Sequence, residues 1–146
     1  MNFCRATVEL QPACTGSWIN ISGDAASVAV DGGEISSAEQ NVFGSKFPIV
    51  AAGKPGSIDV TVTAVYTEVP SGVADIIRTA YETGACDQTL CLRWSPGGGD
   101  VGDLLYTTVS GFLTSHPYVG GDANAADISL VTLTVKCQRI ETTTIV

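Results

Sequence analysis

Apolar and polar positions alternate along most of this chain, and the alternation predicts strands. In residues 5–10, Ala6, Val8 and Leu10 face one way and Arg5, Thr7 and Glu9 the other. That is a short half-buried strand, ended by Pro12 and Gly16. Residues 17–22 put Ile19 and Ile21 on one face and Trp18 on the other. Residues 26–31 place Val28 and Val30 inward before Gly32 and Gly33 break the run. Residues 58–68 alternate most cleanly, with Ile58, Val60, Val62, Ala64 and Tyr66 opposite Asp59, Thr61, Thr63 and Thr67. Leu90, Leu92 and Trp94 share a face in residues 89–95. A long strand is predicted over 104–115, and Gly111 inside it marks a bulge or a close backbone approach. In residues 126–138 the phase changes: Ile128 and Leu130 are even, while Val131, Leu133, Val135 and Cys137 are odd. A bulge near Leu130 is expected from that slip. Residues 141–146 are β-prone and predict either a frayed end or a strand added to a neighbour's edge.

Two segments break the alternation. Over about 72–83 the period becomes helical, and Val73, Ile76, Ile77, Ala80 and Tyr81 form one apolar stripe. Ser71 is placed as N-cap and Gly84 as the C′ glycine, and the helix is expected to lie across one face or end of the sheets. Over about 36–56 there is almost no period. Gly44, Pro48, Gly53, Pro55 and Gly56 interrupt it, yet Val42, Phe43, Phe47, Ile49 and Val50 give it apolar content. This reads as a long loop, which is uncommon in a compact domain and usually functional. Between Gln40 and Ser57 its only charges are Lys46 and Lys54, or +2. The other five basic and fifteen acidic residues give −10. A basic arm on an acidic body is a means of docking onto a second copy; the competing reading is a loop folded back on its own domain.

The totals narrow the class. A chain of 146 residues is one domain. Only 15% of residues are charged, and the formal net charge is −8 with seven Lys and Arg in all. Gripping nucleic acid needs clustered basic residues, so direct DNA binding is not expected. No run is long enough to span a membrane as a helix, and the first seven residues contain no apolar export core. Asn20, Ile21 and Ser22 form a glycosylation sequon that is treated as chance. The five cysteines, Cys4, Cys14, Cys86, Cys91 and Cys137, have irregular gaps and no Cys-x-x-Cys. They read as small buried hydrophobes or inert thiols, with Cys4–Cys14 or Cys86–Cys91 as conceivable pairings.

Candidate chemistry is sparse. His116 is the sole histidine and stands beside Pro117 in a turn. Gly97, Gly98 and Gly99 are not followed by the Lys of a phosphate loop. Asp100 and Asp103 lack a calcium-loop spacing and read as turn aspartates that accept backbone N–H groups. No catalytic residue, metal site or cofactor is expected. Trp18 and Trp94 suggest an alternative function, a monomeric carbohydrate-binding or adhesion module, although Trp94 has the core phase of its strand. A hydrolase would need a base other than His116.

The segment from Cys91 to Pro117 carries a resemblance. It contains Arg93-Trp94-Ser95-Pro96, a glycine turn, Gly102-Asp103, Tyr106 and Gly111. With Trp18 to Asp24, residues 62–68 and Asp122-Ala123, this order is similar to that of the major tail protein (tail tube protein) of long-tailed bacteriophages of the siphophage type. The cysteines and the C-terminal residues lie outside that pattern. The resemblance implies a mainly β fold, a β-sandwich or barrel with one flanking helix at about 72–83 and a long loop at about 36–56. It further implies hexameric rings that continue their inner sheets around a channel and stack into a tube. Viral DNA would pass through that channel without specific binding. The partners implied are further copies of the chain and the tape measure, tail terminator and distal tail proteins. The implied location is the virion tail, assembled in the bacterial host cytoplasm. The implied contact loop between rings holds Val42, Phe43, Lys46, Phe47, Ile49, Val50 and Lys54.

Overall fold

The computed structural model describes residues 3–70, 72–83, 89–120 and 129–146. A short 3-10 turn at Phe3–Arg5 leads into β1 (Thr7–Pro12). There follow β2 (Ile19–Asn20), β3 (Ala25–Gly32), β4 (Ile35–Gln40), β5 (Ile49–Pro55) and β6 (Ile58–Val65). After the helix α1 (Val73–Thr83) come β7 (Leu90–Ser95), β8 (Leu104–Val109), β9 (Phe112–Leu113), β10 (Leu130–Cys137) and β11 (Arg139–Thr144). One sheet has the order β11-β8-β7-β1-β2, a second β3-β6-β10-β9, and β4 pairs with β5 in a third. The expected mainly β fold with one flanking helix is what forms.

The period of two explains the layers. In the first sheet Val8 pairs with Trp94 and Leu10 with Leu92, so these four share a face. In the second, Val60 pairs with Val135 and Val62 with Leu133. The two apolar faces meet in one core that also takes Leu90, Leu113, Val131 and, from α1, Val73, Ile76 and Ile77. The helix stripe is as the sequence predicts, with Ala80 and Tyr81 half-buried at its edge and Ala74 an unforeseen buried member. Each fully buried aliphatic side chain here contributes about 2 kcal/mol. Ser71 and Gly84, expected as caps, lie outside the described residues.

Two strands turn corners between the sheets. β8 and β9 are separated only by Ser110 and Gly111, yet β8 belongs to the first sheet and β9 to the second. β10 and β11 are separated only by Gln138, whose N–H donates to the Val109 carbonyl. The predicted long strand over 104–115 is therefore real but bent. A Cβ at Gly111 would stand 2.7 Å from the Leu90 carbonyl oxygen and 2.9 Å from Val135 Cγ1. The close approach expected of that glycine is what makes the corner.

Thr108 is buried beside this corner. β7 and β8 pair only at Arg93–Thr107 and Trp94–Tyr106. The Leu92 N–H lacks a ladder partner on that side and donates to Thr108 Oγ1 at 2.9 Å, while the hydroxyl donates to the Leu92 carbonyl at 3.3 Å. Thr108→Val keeps the shape and orphans both groups, so we expect a loss of about 1–3 kcal/mol in urea unfolding. An unchanged midpoint would show that the hydroxyl is dispensable.

Several sequence expectations are corrected. Residues 36–56 are not a loop: Ser37–Ala52, Ala38–Ala51, Glu39–Val50 and Gln40–Ile49 pair across a β-hairpin. Its period is hidden because both faces meet solvent and neither must be apolar. β10 runs in unbroken register from Leu130–Val65 to Cys137–Ile58, so no bulge lies at Leu130. Leu130 simply points outward, half-exposed, and Ile128 lies outside the described residues. The irregularities fall instead at Ala25/Ser27 and Ile35/Ser37. Residues 141–144 neither fray nor wait for a neighbour, since β11 pairs with β8 from Arg139–Val109 to Thr144–Leu104. Val30, expected inward, is exposed on the edge strand β3, and Ile19 does not share the burial of Ile21. Among the described residues a disulfide joins Cys14 to Cys91, neither of the two pairings considered. Cys137 is buried, and burial followed by the negative field of Asp59 pushes its thiol pKa up, so it stays protonated and inert.

Candidate assembly surfaces

The β4–β5 hairpin is the outstanding surface. β3 and β6 pair down to Gly32–Ile58, and the chain then bends and continues as β4 and β5. The bend needs glycine. Gly32 and Gly33 have φ of +84° and +74°, and a Cβ on Gly32 would sit 2.6 Å from the Ser57 carbonyl oxygen. Two backbone bonds hold the base, Gly33 N–H to Ser57 O and Gly56 N–H to Glu34 O, each 3.0 Å. Beyond them, strands of six and seven residues, at about 3.4 Å per residue, carry the tip about 20 Å from the bend.

Every residue of β4 and β5 is exposed. Val50 is 66% exposed, Phe47 76%, and Phe43 fully. Opposed residues share a face. Ile49 therefore stands with Gln40, and with Ala38 and Ala51 two positions along, on one side. Val50 stands with Glu39, Ser37 and Ala52 on the other. Both faces are mixed and small, with Ile49 on one and Val50 on the other, Ile35 is exposed at the base opposite Pro55, and two phenylalanines flank the tip. An unpaired ribbon of this kind is an aggregation hazard in a free monomer. The sequence-predicted contact residues Val42, Phe43, Lys46, Phe47, Ile49, Val50 and Lys54 are all exposed and all lie on this one element. The basic character is narrower than the sequence reading suggests. Glu39 lies in β4 and Glu34 just before it, so residues 34–57 are neutral and the positive charge belongs to the tip and to β5.

The segment containing Arg93, Trp94, Pro96, Gly102, Asp103 and Gly111 organises the body instead. Arg93 forms an ion pair with Glu9, and its guanidinium lies 4.5 Å over the Trp18 ring. Trp94 is buried with Tyr106 at 5.6 Å between ring centroids. A two-indole sugar platform therefore does not form. Pro96 opens the turn after β7, and the Asp103 carboxylate accepts the Asp100 N–H at 3.0 Å, the turn role expected of it. Gly102 N–H donates to Ile145 O and Ile145 N–H to Asp103 O, which ties the C-terminal residues to that turn. Of the predicted site residues, the structure gathers the first set on the hairpin and spends the last on packing.

A second surface escaped the sequence. At the opposite end of β6, Tyr66, Glu68, Arg78, Pro117, Tyr118 and Val119 line a groove of about 420 Å³ between α1 and the segment after β9. An adjoining depression of about 330 Å³ also uses Tyr118 and Val119. Tyr118 lies edge-on to Tyr81 and donates to Glu82 at 3.4 Å, and the His116 ring stacks on it. Desolvation and then the charge of Glu82 raise its phenol pKa. Among the described residues no group of three or more side chains is arranged to hold a metal ion, and no helix is long and apolar enough to cross a membrane.

No protein-family model matches the chain, and no curated protein matches it in sequence. Solved structures match over nearly its whole length. A chain of the anti-feeding prophage baseplate, six-fold symmetrised, superposes with a TM-score of 0.68 at 9% identity, covering 97% of this chain and 93% of that one. A chain of the sheath/tube terminator of an extracellular contractile injection system, in the extended state, gives 0.67 at 16% identity, covering 98% and 96%. A chain of the tail of an empty GTA particle with C6 symmetry gives 0.62 at 12% identity, covering 98% of both. The fold is thus one also found in components of tail-like particles.

Proposed function

We propose that this chain is a structural subunit of a tail tube, of the kind represented by the siphophage major tail proteins. It has no enzymatic role in this reading. Copies close into hexameric rings, and the rings stack into a hollow tube in the virion tail, assembled in the bacterial host cytoplasm. The observation that carries the reading is the β4–β5 hairpin. It projects an exposed, partly apolar ribbon from a body that is already complete without it, and a second copy is the economical cover for such a surface. The fold match supports the tube class, and the six-fold symmetry of two of the matched particles supports a ring of six.

Sheet edges supply the ring contact. Among the described residues β3 and β11 are edge strands, each with no strand on its outer side. A head-to-tail contact that closes after six copies removes those edges, and a second contact along the axis makes a filament. The net charge of −8 suits a channel that lets DNA pass without holding phosphate. Tape measure, tail terminator and distal tail proteins are the further partners this reading entails.

Negative-stain electron microscopy of the purified protein, with tail-tip seeds added where it stays monomeric, tests the reading. Six-fold rings or hollow filaments are expected; a monomer that no seed extends would sink it. Charge at the arm gives a finer test. Lys46→Glu with Lys54→Glu should weaken stacking more at low salt than at high salt, because the Debye length shrinks from about 30 Å at 0.01 M to about 10 Å at 0.1 M. A loss independent of salt would assign the contact to packing alone.

A further inference from the structure

The arm and the groove lie at opposite ends of the same strand. β6 begins at Ile58, where Gly32 opposes it and the hairpin departs. It ends at Val65, opposite Leu130, where Tyr66 and Glu68 enter the groove wall. Eight residues of strand set the two surfaces about 25 Å apart. An arm at one end and a receptor at the other is the arrangement that repeats without closing.

Their chemistry matches. The tip presents Phe43 and Phe47 with Lys46 between them, all exposed. The receptor offers two adjoining depressions divided by Tyr118 and Val119, which are 57% and 37% exposed. Leu130, 50% exposed, lines the second one. Glu68 lines the first depression with Asp75 and Arg78, which pair with each other at 2.5 Å, and Glu82 stands beside it on α1. The Tyr66 and Tyr118 hydroxyls donate to Glu68 and Glu82 at 3.4 Å each. Two aromatic anchors flanking one cation face an aromatic and aliphatic ridge flanked by carboxylates. Buried aromatic anchors in such pockets dominate interface energies, and the charge pair sets orientation.

We infer that the hairpin tip of one copy docks into the Tyr118–Val119 groove of the next copy, with Phe43 and Phe47 as anchors and Lys46 paired to Glu68 or Glu82. The inference rests on the tube reading for its setting, and names the receptor that reading leaves open. The contact is heterologous and polar, so it gives every ring the same direction along the tube.

Two full-length variants in a Cys4→Ser background, Phe43→Cys and Val119→Cys, are co-expressed and oxidised. The expected result is a cross-linked pair in about tenfold or greater excess over Phe43→Cys with Thr107→Cys, a control on the outer face of the first sheet. Equal yields overturn the docking. In parallel, Lys46→Glu should cut the cross-link about tenfold, and Glu68→Lys with Glu82→Lys in the same chain should restore it. Absence of rescue removes the charge pair. Wild-type filaments without the cross-link would leave the tube standing and the receptor wrong; the cross-link without filaments would do the reverse.

Discussion

Replacing residues 35–55 by an Asn-Gly turn should give a soluble, folded protein that forms no filaments. The arm supplies nothing to the body. No residue of β4 or β5 belongs to the core cluster, and the two strands pair only with each other. Glu34 and Gly56 are already joined by a backbone hydrogen bond, so a two-residue turn spans the gap. Stability should change by less than about 1 kcal/mol, or about 4 °C in Tm. Assembly should be lost outright, because the arm is one whole partner of the axial contact proposed above. Circular dichroism melting and electron microscopy of the same sample decide it. Normal filaments from the excised protein would falsify an axial role for the arm; a collapse in Tm would show that the arm is part of the folding unit after all.

The second large effect is on stability. Cys14 and Cys91 are 77 residues apart in sequence, and their bond ties the turn after β1 to the start of β7. On a chain-entropy account a closed loop of that length is worth about 4 kcal/mol. For a chain of this size that is about 10–15 °C in Tm. Cys14→Ser with Cys91→Ser should melt lower by that amount, and reductant should shift the wild type equally while leaving the double variant alone. A reducing compartment would hold the thiol form, so both states are worth melting. Ala13 N–H also donates to Thr89 O at 2.9 Å across the same turn, so the reduced protein keeps its local geometry. If reductant moves the wild-type Tm by less than about 1 °C, the native strand pairing already carries what the bond would add.

What the sequence made legible follows from which faces are buried. β6 and β7 each have one apolar face in the core, so their sequence alternation was readable: the start of β6 and both limits of β7 fall within a residue of the prediction, while β6 ends three residues early, at Val65. The helix stripe was legible for the same reason. The hairpin was not, because neither of its faces is buried in the single chain and its proline and glycine content mimics a loop. Pro55 is tolerated there because it ends a strand whose outer side is free. Its apolar residues still set it apart in the sequence, and the seven proposed contact residues all lie exposed on it. The cysteine pairing could not be read, since it joins residues brought together only by the β1–β7 register, in which Gln11 faces Cys91. The receptor groove had no local signal. Its walls come from α1, the end of β6 and the segment after β9, three stretches that only the tertiary fold unites.

The corners at Gly111 and Gln138 carry a mechanical consequence. Two sheets held together only by side chains can shear past one another when a filament flexes. Here two backbones run from one layer into the other, so displacing the layers would have to stretch covalent chain. Bending strain in a tail would then be shed to the contacts between copies, with each subunit moving as a stiff link and the curvature gathered at the joints.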